Sequence, residues 1–112
     1  MALEVGGRNI ELTETGFLVN MDDWDEDVAK ALAESDGITL TQDHWDVINY
    51  LRDEYLNNNG NQPNNRVMLK DMGAKWGRKI NSKDLFDLFP GNPSKQAGQI
   101  GGLPESRRKG GY

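Results

Sequence analysis

Lys95-Gln96-Ala97-Gly98-Gln99-Ile100-Gly101-Gly102-Leu103-Pro104-Glu105-Ser106-Arg107-Arg108-Lys109-Gly110-Gly111-Tyr112 is the stretch on which the reading of this chain turns. Ala97 and Ile100 stand at helical spacing, so a short amphipathic helix is expected to run up to Gly101-Gly102, where two glycines stop it. Pro104 fixes its own φ and biases Leu103 towards an extended shape. Past Leu103 the segment holds three basic side chains, two more glycines and one aromatic, too little apolar matter for a core. The expectation is a single folded domain over residues 1–102, with Gly101-Gly102 as a hinge releasing a flexible arm over residues 103–112.

Reading outward from that segment, Asn92 as cap and Pro93 at the first helical position suit the start of this last helix. A fourth helix is expected before it, capped by Ser82, with Leu85, Phe86, Leu88 and Phe89 inside and Pro90-Gly91 as its stop. A third runs from Asn65 to Trp76, buried through Val67, Met68 or Leu69, Met72 and Trp76, and closed by Gly77. Thr41 caps a second helix reaching about Asn57, with Trp45, Ile48, Leu51, Arg52 and Tyr55 at helical spacing. Asn57 to Pro63 is a polar break. The first helix is expected over Asn20 to Asp36, capped by Asp22 or Asp23, with Trp24, Val28, Ala31 and Leu32 facing inward and Gly37 ending it. Residues 3–19 read as a β-hairpin: Leu3 and Val5 alternate with Glu4, Ile10 and Leu12 with Glu11, and Phe17-Leu18-Val19 is a short apolar strand. The fold class is therefore α+β, mainly α. A small N-terminal hairpin lies on a bundle of about five helices spanning residues 20–102, since two strands alone are marginal in water.

The chain has 112 residues, enough for one modest core, and 36% of them are hydrophobic. No apolar run approaches a membrane span, and Met1-Ala2-Leu3-Glu4-Val5 lacks the charged-then-apolar pattern of a signal peptide, so the cytoplasm is the expected compartment. There is no cysteine, which excludes disulfides, thiolate metal sites and thiol nucleophiles; a single histidine, His44, leaves too few nitrogen ligands for an ordinary zinc site. The net charge of −5 is unevenly divided. Residues 1–65 carry 3 Lys or Arg against 14 Asp or Glu, and residues 66–112 carry 10 against 4. Such a split bears on partners: the basic half suits an acidic protein surface or nucleic acid, or the two halves attract each other within the domain.

Several residue groups together resemble the DsrC/TusE/DsvC family, sulfur-carrying proteins of sulfite-reductase systems and of the tRNA-thiolation relay. They are Gly6-Gly7 and Gly16-Phe17-Leu18 near the N-terminus, and Leu40-Thr41, His44-Trp45, Val47-Ile48 and Tyr50-Leu51-Arg52 in the middle. Further along come Leu88-Phe89-Pro90, Gly91, Pro93, Lys95-Gln96-Ala97, Ile100 and Gly102-Leu103-Pro104. The resemblance implies an arm that swings between the body and a partner's cleft. It makes Lys95, Gln96, Leu103, Pro104, Arg107, Arg108 and Lys109 the candidate partner-binding residues. Carriers in this family use a cysteine next to the C-terminus and often a second eleven residues earlier. Aligned on Gly102-Leu103-Pro104, those positions here are Lys109 and Gly98. The expected function is accordingly a non-catalytic adaptor or regulator, monomeric and without cofactor, that docks on a protein of the sulfite-reductase or sulfur-relay type but cannot hold persulfide.

Other chemistries are weaker. The third and fourth helices have the spacing of a helix-turn-helix, with Lys70, Lys75, Arg78, Lys79 and Lys83 as candidate phosphate contacts, so a DNA-binding regulator is the alternative. Its recognition helix offers only Asn81, Ser82, Lys83, Asp84 and Asp87 to base edges, and the two Asp would face phosphates unfavourably. His44 falls in the first turn of the second helix without a nucleophile motif, which reads as capping rather than catalysis. The acids at Asp22, Asp23, Asp25, Glu26 and Asp27 crowd one helix start, unlike a general acid–base pair set in contrasting environments. Gly110-Gly111 resembles the di-glycine end of ubiquitin-like sulfur carriers, but Tyr112 would first have to be removed.

Overall fold

A computed structural model of the chain describes residues 2–105. The hairpin is β1 (Ala2–Val5) and β2 (Arg8–Glu11), antiparallel, with Leu3 opposite Ile10 and Val5 opposite Arg8. Gly6 and Gly7 both take positive φ, +55° and +81°, which a two-residue turn matching the strand twist requires. Val5 and Ile10 are buried beneath it, while Arg8 reaches across to Asp25 at 2.8 Å. The expected apolar strand at Phe17-Leu18-Val19 does not form. Leu18 makes a single bridge to Leu12, and the loop between them is closed by Thr13, whose N–H donates to the Phe17 carbonyl and whose hydroxyl accepts from the Phe17 N–H. Phe17 and Leu18 are nevertheless buried, and Val19 turns out to solvent.

The first helix is shorter than its periodicity suggests. Asn20 caps one 3-10 turn (Met21–Asp23), Trp24 is extended, and Asp25 caps α1 (Glu26–Ser35) through the Val28 N–H at 2.9 Å. Asn and Asp carboxamide or carboxylate groups compete for backbone N–H groups, and with Asn20 and Asp25 five residues apart the chain caps twice instead of once. Val28, Ala29, Leu32 and Ala33 then face the core, whereas Ala31 is only half-buried.

Helix α2 (Gln42–Asn57) and helix α3 (Asn65–Trp76) have the expected bounds. Asn64 caps α3, and Gly77 ends it in the left-handed region at φ +66°. Helix α4 (Ser82–Leu88) is capped by Asn81, one residue earlier than expected, because Asn81 and Asp84 satisfy each other's backbone N–H groups. Phe86 is exposed on α4, and Leu85 and the following Phe89 are buried. Helix α5 (Pro93–Ile100) packs against α1, α2, α3 and α4, so a helix of only 8 residues forms the hub of the bundle. Its inward residues are small, Ala97 and Gly98, with Ile100, and that lets four helices approach one axis.

His44 holds α2 to the end of α4. Its Nδ1 accepts from the Thr41 N–H at 3.0 Å, which puts the proton on Nε2, and Nε2 donates to the Leu88 carbonyl at 2.9 Å. Burial, partly opposed by the Leu88 contact, moves the imidazole pKa below its ordinary value. A base depressed on folding stabilises the fold fully above its unfolded pKa of about 6.5 and less as pH falls through the folded value. The urea midpoint should therefore drop between pH 7.5 and pH 5, and His44→Gln should flatten that drop; an equally steep profile in the variant would remove His44 as its cause.

Candidate functional site

The segment after α5 is seated on the body. Gly101 follows Ile100 with helical φ, Gly102 turns left-handed at φ +74°, the Gly102 N–H donates to the Gln99 carbonyl at 3.2 Å, and the Leu103 N–H donates to the Gly98 carbonyl at 2.9 Å. That is the double hydrogen-bond pattern of a Schellman stop, which aims the residue after the glycine back at the helix's apolar side. Leu103 is accordingly 2% exposed and belongs to the core. The chain is therefore not released at Gly101-Gly102. A left-handed glycine looks flexible in sequence, but here it is locked by two backbone hydrogen bonds.

Four side chains complete this seat. Trp24 Nε1 donates to the Ile100 carbonyl at 2.8 Å, and Arg52 Nη1 donates to the Gly101 carbonyl at 2.6 Å. The Arg52 guanidinium also lies over the Trp24 ring, 3.8 Å from its centroid, and burial lowers its pKa from the usual value. Gln62 Nε2 donates to the Pro104 carbonyl at 2.8 Å, and the Thr15 hydroxyl donates to Glu105 Oε1 at 2.7 Å. The chain is thus held as far as Glu105 by residues from the loop between Leu12 and Leu18, the extended residue after the 3-10 turn, α2 and the polar break. Sequence reading placed Trp24 and Arg52 in helical stripes and did not identify their hold on the backbone, because that contact joins residues 76 and 49 positions apart.

The expected partner-binding residues divide. Arg107, Arg108 and Lys109 lie outside the described residues. Gln96 is already used inside the body, its Oε1 accepting from the Gly91 N–H at 2.8 Å and its Nε2 donating to Asp36 at 3.1 Å. Lys95 is half-buried on α5, and Pro104 is half-buried beyond the core residue Leu103. Gly98 is enclosed in α5, yet a Cβ there would meet nothing within 4 Å. Position 98 still admits a side chain, so Gly98→Ala should raise stability by about 0.5–1 kcal/mol through helix propensity. A loss measured by urea denaturation would mean that the space is closed.

The candidate DNA contacts Lys70, Lys75, Arg78, Lys79 and Lys83 are all exposed. Lys70 and Lys75 are five positions apart on α3, about 140° around its axis. Arg78 lies over the Trp76 ring at 5.2 Å, and Lys83 pairs with Asp87 at 3.0 Å on the very helix that would read bases. Among the described residues no helix is long and apolar enough to cross a membrane, and no group of three His, Asp or Glu side chains is placed to hold a metal.

A sequence model described as DsrC like protein matches residues 4–108. The chain belongs to the DsrC-like family. Among its relatives, sulfurtransferase TusE of Yersinia pestis is 45% identical over 104 residues, covering 92% of this chain and 94% of that one. TusE of Escherichia coli strain K12 is 42% identical over 100 residues, covering 88% and 91%. Among solved structures, Allochromatium vinosum DsrC superposes with a TM-score of 0.87 at 41% identity, covering 97% of this chain and 99% of its own. The oxidized gamma-subunit of the dissimilatory sulfite reductase (DsrC) from Archaeoglobus fulgidus gives 0.88 at 36% identity, with the same coverage. The chain thus spans nearly the whole length of both solved structures and contains no cysteine.

Proposed function

We propose that this DsrC-like chain is a non-catalytic docking protein of sulfur metabolism. It takes the place of its sulfur-carrying relatives on a protein of the sulfite-reductase or sulfur-relay type, without carrying the sulfur atom. The observation that supports this reading is the combination of an intact family fold with Gly98 and Lys109 where the resemblance puts the carriers' cysteines. Persulfide formation and its transfer need a thiolate sulfur that can attack and be attacked, and neither a thioether nor an amine replaces it.

In this role the residues around Gly101 to Glu105 act as an anchor. Arg107, Arg108 and Lys109, three cations beyond the anchor, are the proposed contacts with the partner. A regulator of this kind would compete with sulfur-loaded relatives for one surface. Affinity capture from the native host should retain a sulfite-reductase-type or sulfur-relay protein with the full chain, and lose it with a chain ending at Glu105. Nuclease treatment should leave the retained protein unchanged. Intact mass after incubation with a persulfide donor should show no gain of a sulfur atom, and a transferable gain would defeat the reading.

A further inference from the structure

Between α3 and α4 lies an open cleft of about 390 Å³ whose walls include Arg66, Leu69, Ser82, Leu85, Phe86 and Pro93. Two of these residues stand outside the hydrophobic core and outside the ion pairs of the described residues. Phe86 is 41% exposed, although it sits next to the buried Leu85. Arg66 stands in the first turn of α3, where the helix dipole disfavours a cation and no acid accompanies it. Its side chain is exposed, and it has no carboxylate partner among the described residues. Lys70, one turn further on, is likewise exposed and without an ion pair among them. No acidic side chain lines the cleft. An aromatic that the core does not use and a cation that the helix does not favour thus flank one apolar depression, in the half of the chain with 10 basic against 4 acidic side chains.

We propose that the α3–α4 cleft is a second docking surface, which takes an acidic peptide segment of a protein partner. A bulky apolar side chain of that segment would lie on Leu69, Leu85 and Phe86, and a neighbouring carboxylate would pair with the Arg66 guanidinium, whose planar donors match a carboxylate in a bidentate manner. A peptide is favoured over duplex DNA because no row of free cations follows a phosphate backbone here, Lys83 being paired with Asp87 and Lys70 and Lys75 standing about 140° apart around α3, while a single short acidic segment can seat its charge at Arg66. The surface shares no residue with the seat of the C-terminal segment, and it does not depend on whether this chain carries sulfur.

The test uses the full chain, ¹⁵N-labelled, titrated with the synthetic peptide acetyl-Asp-Glu-Leu-Phe-Asp-Glu-amide at low salt. Fast-exchange shifts should concentrate at the amides of Arg66, Leu69, Ser82 and Phe86, with a Kd of about 0.1–1 mM, as suits a short isolated segment. Arg66→Glu should weaken binding about tenfold or more while leaving the fold as stable or more so, since an acid suits that turn. Phe86→Ala should weaken it about fivefold, again without unfolding, because the ring is a surface anchor. The counterpart with Lys in place of Asp and Glu should not bind. Shifts scattered over the surface, no shifts at all, or binding unchanged in Arg66→Glu would overturn the proposal. So would a DNA duplex that perturbs these amides and displaces the peptide, or self-association that Phe86→Ala abolishes, which would assign the cleft to a second copy.

Discussion

Replacing Phe89 by alanine is expected to cost about 3–5 kcal/mol, the range for emptying a fully enclosed aromatic site. Phe89 is 0% exposed, and its ring meets the His44 ring edge-on at 5.2 Å. The site cannot collapse easily, since the Phe89 N–H is tied to the Leu85 carbonyl and the preceding Leu88 carbonyl to His44. Phe86→Ala, three residues earlier, should change stability by less than about 0.5 kcal/mol, as surface substitutions do. Equilibrium urea unfolding of the two variants separates them; equal losses would mean that α4 buries both rings in solution.

Gly102→Ala is the second large effect. At φ +74° any Cβ is strained, and here it would stand 2.4 Å from Trp24 Cδ1. The indole would have to move, losing its hydrogen bond to the Ile100 carbonyl and its stacking under Arg52. Left-handed strain and overpacking together put the loss at about 3 kcal/mol or more. Gly77→Ala supplies the comparison, because its φ is +66° but a Cβ would meet nothing within 4 Å. There only the backbone term remains, about 1–2 kcal/mol. Similar costs at both positions would show that Trp24 yields freely and that the seat of the C-terminal segment is loose. The same variant tests function: a displaced Trp24 should weaken partner capture even though no proposed contact residue has changed.

Much of the fold was legible in the chain. Thr41, Gly77 and Pro93 mark helix ends at the observed places, because a cap, a left-handed stop or a ring-fixed φ acts within a few residues, although the Asn92 side chain caps nothing in α5 and accepts from Asn65 instead. The misplaced boundaries have the same local character. Asn20, Asp25 and Asn81 outcompeted the caps expected at Asp22 or Asp23 and at Ser82, and periodicity alone does not rank rival capping residues. Phe86 and Val67, both expected inside and both exposed, were misjudged for another reason. Helical spacing gives a stripe of apolar positions but not its width, and the neighbouring helix decides which flanking residue is covered.

What the amino-acid order determined by itself is chemical: no thiol is present, the charge is split between the two halves, and the family's run of residues is kept from Gly6 to Pro104. What the tertiary structure decided is that the C-terminal segment stays on the body past Gly102, as far as Glu105. Gly101-Gly102-Leu103-Pro104 is compatible with a hinge or with an anchor. The outcome rests on Trp24, Arg52 and Gln62, brought to those carbonyls from distant parts of the chain, and on a pocket in the core for Leu103. Contacts across such sequence separations exist only once the helices have packed, so no local pattern could have announced them.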